Sequence, residues 1–393
     1  MRSSDSGLRR KVAHVIGVWL GRTETWLYSE VTKVGELWEP WVATNRTMNI
    51  IEFPYDKIFS VRDDCGYYRW LFETLLVRTS LYRQYPSIIK FIKDLNPSII
   101  HSHFGHVGWK NLGIIKLTGA KHVVSFYGYD VTRLPRSEAW RKKYLQLFEE
   151  SDLFLCEGPH MASQLEQLGC PKDKINLCHL GVNVDKIIYK KPMWQPGKPL
   201  RILMAASFRE KKGLPYGFLS LAEVMKKMPA LKLHITVVGD ADKSSASQIE
   251  KKKIYDVVTT NGLSNIVNFV GSCSHDDLFH IAAENDVFIS PSVTAASGDT
   301  EGGAPVTLTE MMAVGLPIVS TIHCDIPHVL SNENRVLLAP ERDVSALANA
   351  IIWLLNNHEK WEIITSANRQ RVTYEFNISN QGRILSNIYE QLL

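Results

Sequence analysis

A chain of 393 residues, 45% apolar and 22% charged with a formal net charge of +4, has the composition of a water-soluble globular protein. It is too long for one ordinary core, so two domains of about 200 residues are expected. No apolar run reaches the ~18 residues of a membrane span, no recognised nucleic-acid module or strongly basic face is present, and the six cysteines are scattered without a C-x-x-C pair. The cysteine pattern argues against a disulfide frame or zinc site and for a reducing, cytoplasmic setting. Residues 1–190 hold 26 Lys and Arg against 20 Asp and Glu, the remainder 19 against 21. The basic excess of the first half suits an anionic partner, either a phosphorylated acceptor or the anionic inner face of a membrane to which the protein attaches peripherally. Arg136, Arg141, Lys142 and Lys143, interleaved with Trp140 and Tyr144, form the local patch.

The N-terminal MRSSDSGLRRKVAHVIGVWLGRTE ends in Gly-Arg-Thr-Glu rather than a small-residue cleavage site, and reads as a first strand, not a signal peptide. β-Branched and aromatic runs then alternate with helix-length segments. Val12–Trp19, Ser98–Ser102, His122–Tyr127, Leu153–Cys156 and Ile175–Leu180 are strands of the first half. Arg201–Ala205, Leu233–Val238, Ile266–Val270, Asp286–Ser290 and Ile318–Thr321 are those of the second. Nearly continuous apolar strands predict parallel sheets covered on both faces, and so an α/β protein of two Rossmann-like doubly wound domains. Pro192, Pro196, Gly197 and Pro199 interrupt helix and strand alike and place the boundary at about 190–199. The expected domains are 1–190 and 198–375, with a helical run at about 376–393 able to pack back on the first. Two such domains facing each other form a central cleft at the carboxyl ends of their strands, where open α/β sheets bind ligands.

Residues 297–320, SGDTEGGAPVTLTEMMAVGLPIVS, carry the densest chemistry. Pro305 is suited to a helical first turn, and the helix should run from about 305 to 314 and stop at Gly315 and Pro317. Its free first-turn amides, behind the side-chain-free Gly302 and Gly303, favour an anion such as phosphate. Glu310 lies about 7–8 Å further along the axis, within reach of a ribose when a diphosphate occupies the helix start. Glu301 stands on the other side, facing whatever the diphosphate carries. A nucleotide-diphosphate sugar fits. Arg209, Lys211 and Lys212, at the carboxyl end of the strand RILMAA, offer cations for a leaving diphosphate.

These segments, Glu-Lys-Lys-Gly (210–213) and Glu-Gly…Glu…Gly-Leu-Pro-Ile-Val (301–319), resemble retaining glycosyltransferase family 4 with the GT-B fold. RTETWLYSE (22–30), HSHFG (101–105), FYGYDVT (126–132), HLGVNVDKI (179–187), VVGDAD (237–242), VNFVGSCSHDDL (267–278) and DVFISPS (286–292) extend the likeness over nearly the whole chain. The resemblance implies a UDP- or GDP-sugar donor bound by the second domain, a glycan or lipid-linked acceptor bound by the first, retention of anomeric configuration, and no metal or cofactor. It implies that Glu301 contacts the donor hexose, the backbone of Gly302, Gly303, Ala304, Val306 and Thr307 its sugar and phosphates, Lys212 the diphosphate with Arg209 nearby, and Glu310 the ribose. On the acceptor side it points to His103, Gly128 and Asp130, with Glu24 and Thr25 just after the first strand. The chain departs from the family pattern at three points: one extra residue between the two glutamates, Ser207 where many members have Arg, and Tyr127 where many have a His near the reacting carbon.

Other patterns point away from metals. Asp240-Ala241-Asp242 follows a strand at the family's Gly-Asp turn, His101 reads as a satisfied strand residue and His106 as a surface one. The expected activity is therefore transfer of a hexose to an acceptor hydroxyl in cell-envelope or exopolysaccharide assembly, by front-face attack, with Glu301, Lys212 and Tyr127 closest to the chemistry. The competing readings are a catalytically silent sugar-nucleotide binder, suggested by Ser207 and Tyr127, and a dinucleotide-dependent oxidoreductase, for which G-x-G-x-x-G after the first strand is missing.

Overall fold

The computed structural model describes residues 9–21 and 26–393. The described strands form two sheets in which every pairing is parallel. The first sheet contains β1 (Arg10–Trp19), β2 (Trp38–Thr47), β3 (Ile58–Ser60), β4 (Ile99–His103), β5 (Lys121–Ser125), β6 (Leu153–Cys156) and β7 (Ile175–Leu177), in the order 3-2-1-4-5-6-7. The second contains β8 (Leu200–Ala205), β9 (Leu233–Val238), β10 (Val267–Gly271), β11 (Val287–Ser290), β12 (Ile318–Thr321) and β13 (Leu338–Ala339), in the order 10-9-8-11-12-13. Both sheets are doubly wound. The strand order reverses between β1 and β4 in one and between β8 and β11 in the other, and loops leaving those strands on the carboxyl side define the crevices in which such sheets hold ligands.

The burial pattern explains the pairing. Neighbouring residues of one strand face opposite cores: Ala13, Val15 and Ile100 pack with Ile88 and Ile92, while Val12, Ile99 and Val123 pack with Trp38, Leu385 and Tyr389. In the second sheet, Leu200, Ile202 and Met204 belong to one core and Leu203 and Ala205 to the other. Strands apolar on both faces need helices on both sides.

Each of the ten sequence-read runs holds a strand, with shifted ends: the run beginning at His122 stops at Ser125 and the one beginning at Ile175 stops at Leu177. The sequence reading missed β2, β3 and β13. β2, WEPWVATNRT, contains a proline and a polar second half. Pro40 is tolerated because β3 pairs with β2 only over Val42–Thr44, so the ladder bond that Pro40 lacks is on an open side.

The chain divides into two compact units, one running through Gly181 and including Ile378–Leu393, the other Val182–Asn377. The proline-rich stretch 189–199 lies within the second unit and leads into β8. The last helix, Ile378–Leu392, buries Ile378, Gln381, Gly382, Leu385, Ser386, Ile388 and Tyr389 on one side. Gly382 lets it approach so closely that a Cβ would stand 1.8 Å from the Lys33 carbonyl oxygen. Among the described residues no helix is long and apolar enough to cross a membrane.

Candidate functional site

In the second unit the switch point brings two loops together. After β8 the chain makes a short 3₁₀ turn, Glu210–Lys212, closed by Gly213 in the left-handed region at φ +64°. A Cβ on Gly213 would lie 1.8 Å from the carbonyl oxygen of Pro291, in the loop after β11. The Val293 amide donates to the Lys211 carbonyl at 2.8 Å and locks the two loops.

Lys212 Nζ thereby donates to Glu301 Oε2 at 2.8 Å, and Lys211 Nζ stands 3.9 Å from the same oxygen. Ser292 Oγ donates to Glu301 Oε1 at 3.0 Å. The Glu301 amide donates to His323 Nε2 at 3.2 Å, which leaves Nδ1–H of that ring to donate to Glu341 Oε1 at 2.6 Å. Glu341 also accepts from the Thr294 amide at 2.7 Å, so one carboxylate ties the loops after β11 and β12. Burial would raise the Glu301 carboxyl, but Lys212 and then Lys211 outweigh it and hold the group down at about 2. A buried carboxylate this firmly ionised is a hydrogen-bond acceptor, not an acid.

The helix after this loop runs Val306–Val314 and ends at Gly315, φ +102°. Pro305 is the residue ahead of the first turn, one place earlier than the expected first helical position. Among the described residues no side chain caps this helix start. Gly302, at φ +80°, directs its amide to Thr300 Oγ1 at 3.0 Å, and the Gly303 carbonyl accepts from the Asp325 amide at 3.1 Å. Gly302 and Gly303 are buried, whereas Ala304, Val306 and Thr307 are half-buried. Glu310 is buried with Oε1 2.6 Å from Nε2 of the half-exposed His275. Arg209 turns elsewhere: its guanidinium is 3.5 Å from Asp242, on the loop after β9. Asp240 is 2.7 Å from Lys251.

In the first unit His103, at the end of β4, is fully buried. Its Nδ1 is 2.6 Å from the Tyr127 hydroxyl and its Nε2 is 2.9 Å from His14 Nδ1. The Tyr127 hydroxyl donates to Glu30 Oε2 at 3.3 Å. Burial raises Glu30 to about 7, against the lowering effect of that bond. Asp130 is completely buried and accepts from the amides of Gly105 (2.8 Å), Tyr127 (3.1 Å) and Gly128 (3.0 Å). Both its oxygens thus hold the turns after β4 and β5 in register. Gly128 itself sits at φ +131°. Glu24 and Thr25 lie outside the described residues. His101 bonds Tyr389 and Ser125, while His106, expected at the surface, is half-buried with Nδ1 3.3 Å from the Tyr129 hydroxyl.

His14, His101 and His103 are the described residues grouped closely enough to hold a metal, with ligand atoms within 4.8 Å of one another. Five of the six ring nitrogens are already hydrogen-bonded, and only His14 Nε2 lacks a partner among the described residues. The His101 and His103 rings are stacked with centroids 4.3 Å apart, so the group is a bonded imidazole stack rather than a convergent ligand set.

Sequence reasoning did not select Ser292, His323, Glu341, His275 or Glu30. Ser292 and His323 fall within two residues of the ends of β11 and β12, and that position was the available signal. Glu341 has the same position two residues past β13, a strand the sequence reading missed, and Glu30 closes the quoted RTETWLYSE without any local sign of its bond to Tyr127, 97 residues later.

A model of glycosyltransferase family 4 matches residues 52–186, and one of the glycosyl transferases group 1 matches residues 199–357. The amylovoran biosynthesis glycosyltransferase AmsK of Erwinia amylovora is 33% identical over 304 residues, which cover 76% of this chain and 72% of AmsK. The chain belongs to glycosyltransferase family 4. WcaL of Escherichia coli, a protein named for colanic acid biosynthesis, is 32% identical to this glycosyltransferase over 74% of this chain and 70% of WcaL. Anabaena HepE, solved with UDP and glucose, superposes with a TM-score of 0.75 at 15% identity, covering 97% of this chain and all of HepE. The family read from the motifs is thus borne out, and the transferase has the GT-B fold.

Proposed function

We propose that this glycosyltransferase moves a hexose from a UDP- or GDP-sugar to an acceptor hydroxyl with retention of configuration, without metal or cofactor. The observation that carries the reading is the ion pair of half-buried Lys212 with buried Glu301, five residues ahead of an uncapped helix start. A diphosphate at the Val306–Thr307 amides competes with Glu301 for the Lys212 ammonium, and the helix start and that ammonium together neutralise the departing group. Lys211, 3.9 Å from Glu301, is left to balance that carboxylate when Lys212 turns to the phosphates. Glu301 stays ionised and accepts bonds from sugar hydroxyls. Glu310, four residues beyond Val306 and so about 6 Å along the axis, exchanges His275 for ribose hydroxyls. Arg209, paired with Asp242, is a secondary contact in this scheme. Acceptor binding falls to the first unit, with half-buried Tyr127 as its polar group and the fully buried His103 orienting the Tyr127 hydroxyl from behind. The exopolysaccharides named in AmsK and WcaL support a growing or lipid-linked glycan acceptor in cell-envelope or exopolysaccharide assembly.

The test is donor turnover. Release of nucleoside diphosphate from a panel of UDP- and GDP-sugars should fall about 10²–10³-fold in Lys212→Ala, the usual effect of removing one preorganised charge donor. Glu301→Ala and Glu310→Ala should fall as well. Unchanged turnover in all three variants rejects the proposal, and nucleotide binding without turnover by the unaltered protein favours the silent binder.

A further inference from the structure

Two residues one turn apart on the helix Trp26–Thr32 meet Tyr127, in the loop after β5. The Trp26 ring lies against the Tyr127 ring with centroids 4.5 Å apart. The Glu30 carboxylate faces the Tyr127 hydroxyl, Oε2 at 3.3 Å and Oε1 at 3.5 Å. Behind that hydroxyl stands His103 Nδ1 at 2.6 Å, and beyond it His14 Nδ1, 2.9 Å from His103 Nε2. Glu30 and Tyr127 are half-buried, whereas both imidazoles are fully buried. The four side chains form one row of hydrogen bonds, from a partly exposed carboxylate to His14 Nε2, which has no partner among the described residues.

Only two proton arrangements fill every bond of this row, because a neutral imidazole carries one N–H and a phenol one O–H. Burial keeps both rings neutral, holding His103 well below its ordinary range and His14 down at about 3. With Glu30 ionised, Tyr127 donates to Glu30, His103 Nδ1–H donates to the Tyr127 oxygen, and His14 Nδ1–H donates to His103 Nε2. With Glu30 protonated, its O–H donates to Tyr127, Tyr127 donates to His103 Nδ1, and His103 Nε2–H donates to His14 Nδ1. The two arrangements differ by one proton, on Glu30, and every bond between them is reversed. Burial raises Glu30 to about 7, against the lowering effect of the Tyr127 bond, so both are populated near neutral pH. The Tyr389 phenol of the last helix and the Cys178 thiol just past β7 also face Glu30, and burial pushes both up, so they stay neutral there. His101, stacked on His103, is held neutral by burial, and Glu157 faces Tyr127 and adds to the rise that burial imposes on its phenol.

Building on the reading that Tyr127 meets the acceptor, we propose that Glu30 is the positioning residue that, through Tyr127, receives the proton the acceptor hydroxyl loses. As the acceptor oxygen bonds to the anomeric carbon of the sugar, the bond from that carbon to the diphosphate oxygen breaks and the diphosphate keeps the electron pair. The hydroxyl proton passes to the Tyr127 oxygen while the phenolic proton passes to Glu30, which becomes neutral. Glu30, being partly exposed, returns the proton to solvent. The diphosphate leaves without that proton, in the state that Lys212 and the helix start neutralise. A Glu30 that is already protonated has reversed the row and has no room for a second proton.

Nitrogen-15 NMR of the full-length chain with labelled histidine, the His14 and His103 signals assigned by single substitutions, reads the row without any substrate. Both rings should exchange Nδ1–H for Nε2–H tautomers as the pH is lowered through about 7, without becoming charged. Glu30→Gln should show one arrangement at every pH, and Tyr127→Phe should cut the rings off from Glu30 with the same result. No exchange across the neutral range, or the same exchange in Glu30→Gln, overturns the proposal. Nucleoside diphosphate release from the UDP- and GDP-sugar panel, with water as acceptor, should quicken as pH rises through about 7. Glu30→Gln should lose that pH dependence and run about 10²-fold slower, the low end for a positioned proton acceptor, with nucleotide affinity unchanged. An unchanged rate or a retained pH dependence in Glu30→Gln overturns the proposal, and so does weaker nucleotide binding, which would put Glu30 on the donor side. The tautomer exchange is read with no donor present, so a failure of the donor reading shows separately, in nucleotide binding by the unaltered chain.

Discussion

Glu301 stands at the balance point of the second unit's chemistry. Burial disfavours its charge, and Lys212 and Lys211 more than restore it, so its folded pKa of about 2 lies below the ordinary 4.5. A depressed carboxylate pKa stabilises the fold above about pH 4.5, and that contribution is lost as pH falls toward 2. Lys212→Met should therefore cost about 2–3 kcal/mol near neutral pH, and the gap from the unaltered chain should narrow as pH is lowered toward 2. Urea unfolding at a series of pH values measures it, and a gap independent of pH would mean that the lysine acts through packing alone. Lys212 and Glu301 were legible in the sequence because they sit in the loops that follow β8 and β11, Glu301 five residues ahead of the helix Val306–Val314. Glu30 was not. It lies on the helix after β1, and its significance comes from Tyr127, 97 residues later, whose hydroxyl it receives. A one-dimensional pattern has no means of showing that meeting.

At the scale of elements, the site depends on how closely two loops approach. Gly213 is required twice: by its left-handed backbone, and by the Pro291 carbonyl 1.8 Å from where a Cβ would stand. Gly213→Ala should destabilise the second unit by about 1–3 kcal/mol through backbone strain, with loss of nucleotide binding as Lys212 is displaced from Glu301. A thermal melt with and without nucleotide checks both effects, and a variant that binds normally would show that the loop contact is not what places the lysine. The helix Val306–Val314 was readable from Pro305 and Gly315, which mark its ends by local stereochemistry. β2 was unreadable for the converse reason: Pro40 and the polar run 44–47 contradict a strand locally, and only the open side beyond Pro40 reconciles them.

At the scale of the whole molecule, two parallel sheets with the same winding place their functional groups by one rule, just past the carboxyl ends of strands beside a reversal of order. Long apolar strands made that architecture visible in sequence, because a strand buried on both faces has few alternatives. The last helix was less transparent. Its apolar spacing is plain, but its attachment to the first unit rests on Gly382 beneath Lys33 and on the Tyr389 hydroxyl 2.6 Å from His101 Nδ1, pairings across most of the chain. The central claim is that an uncapped helix start and the Lys212 ammonium receive a nucleoside diphosphate. Calorimetric titration of UDP and GDP into the unaltered protein and Lys212→Ala, in buffer containing a chelator, tests it most directly. The account predicts binding of at least one of the two nucleotides by the unaltered protein and at least about tenfold weaker binding by the variant, a difference of about 1.4 kcal/mol. Equal affinity in the two proteins, or no binding of either nucleotide by the unaltered chain, would contradict it.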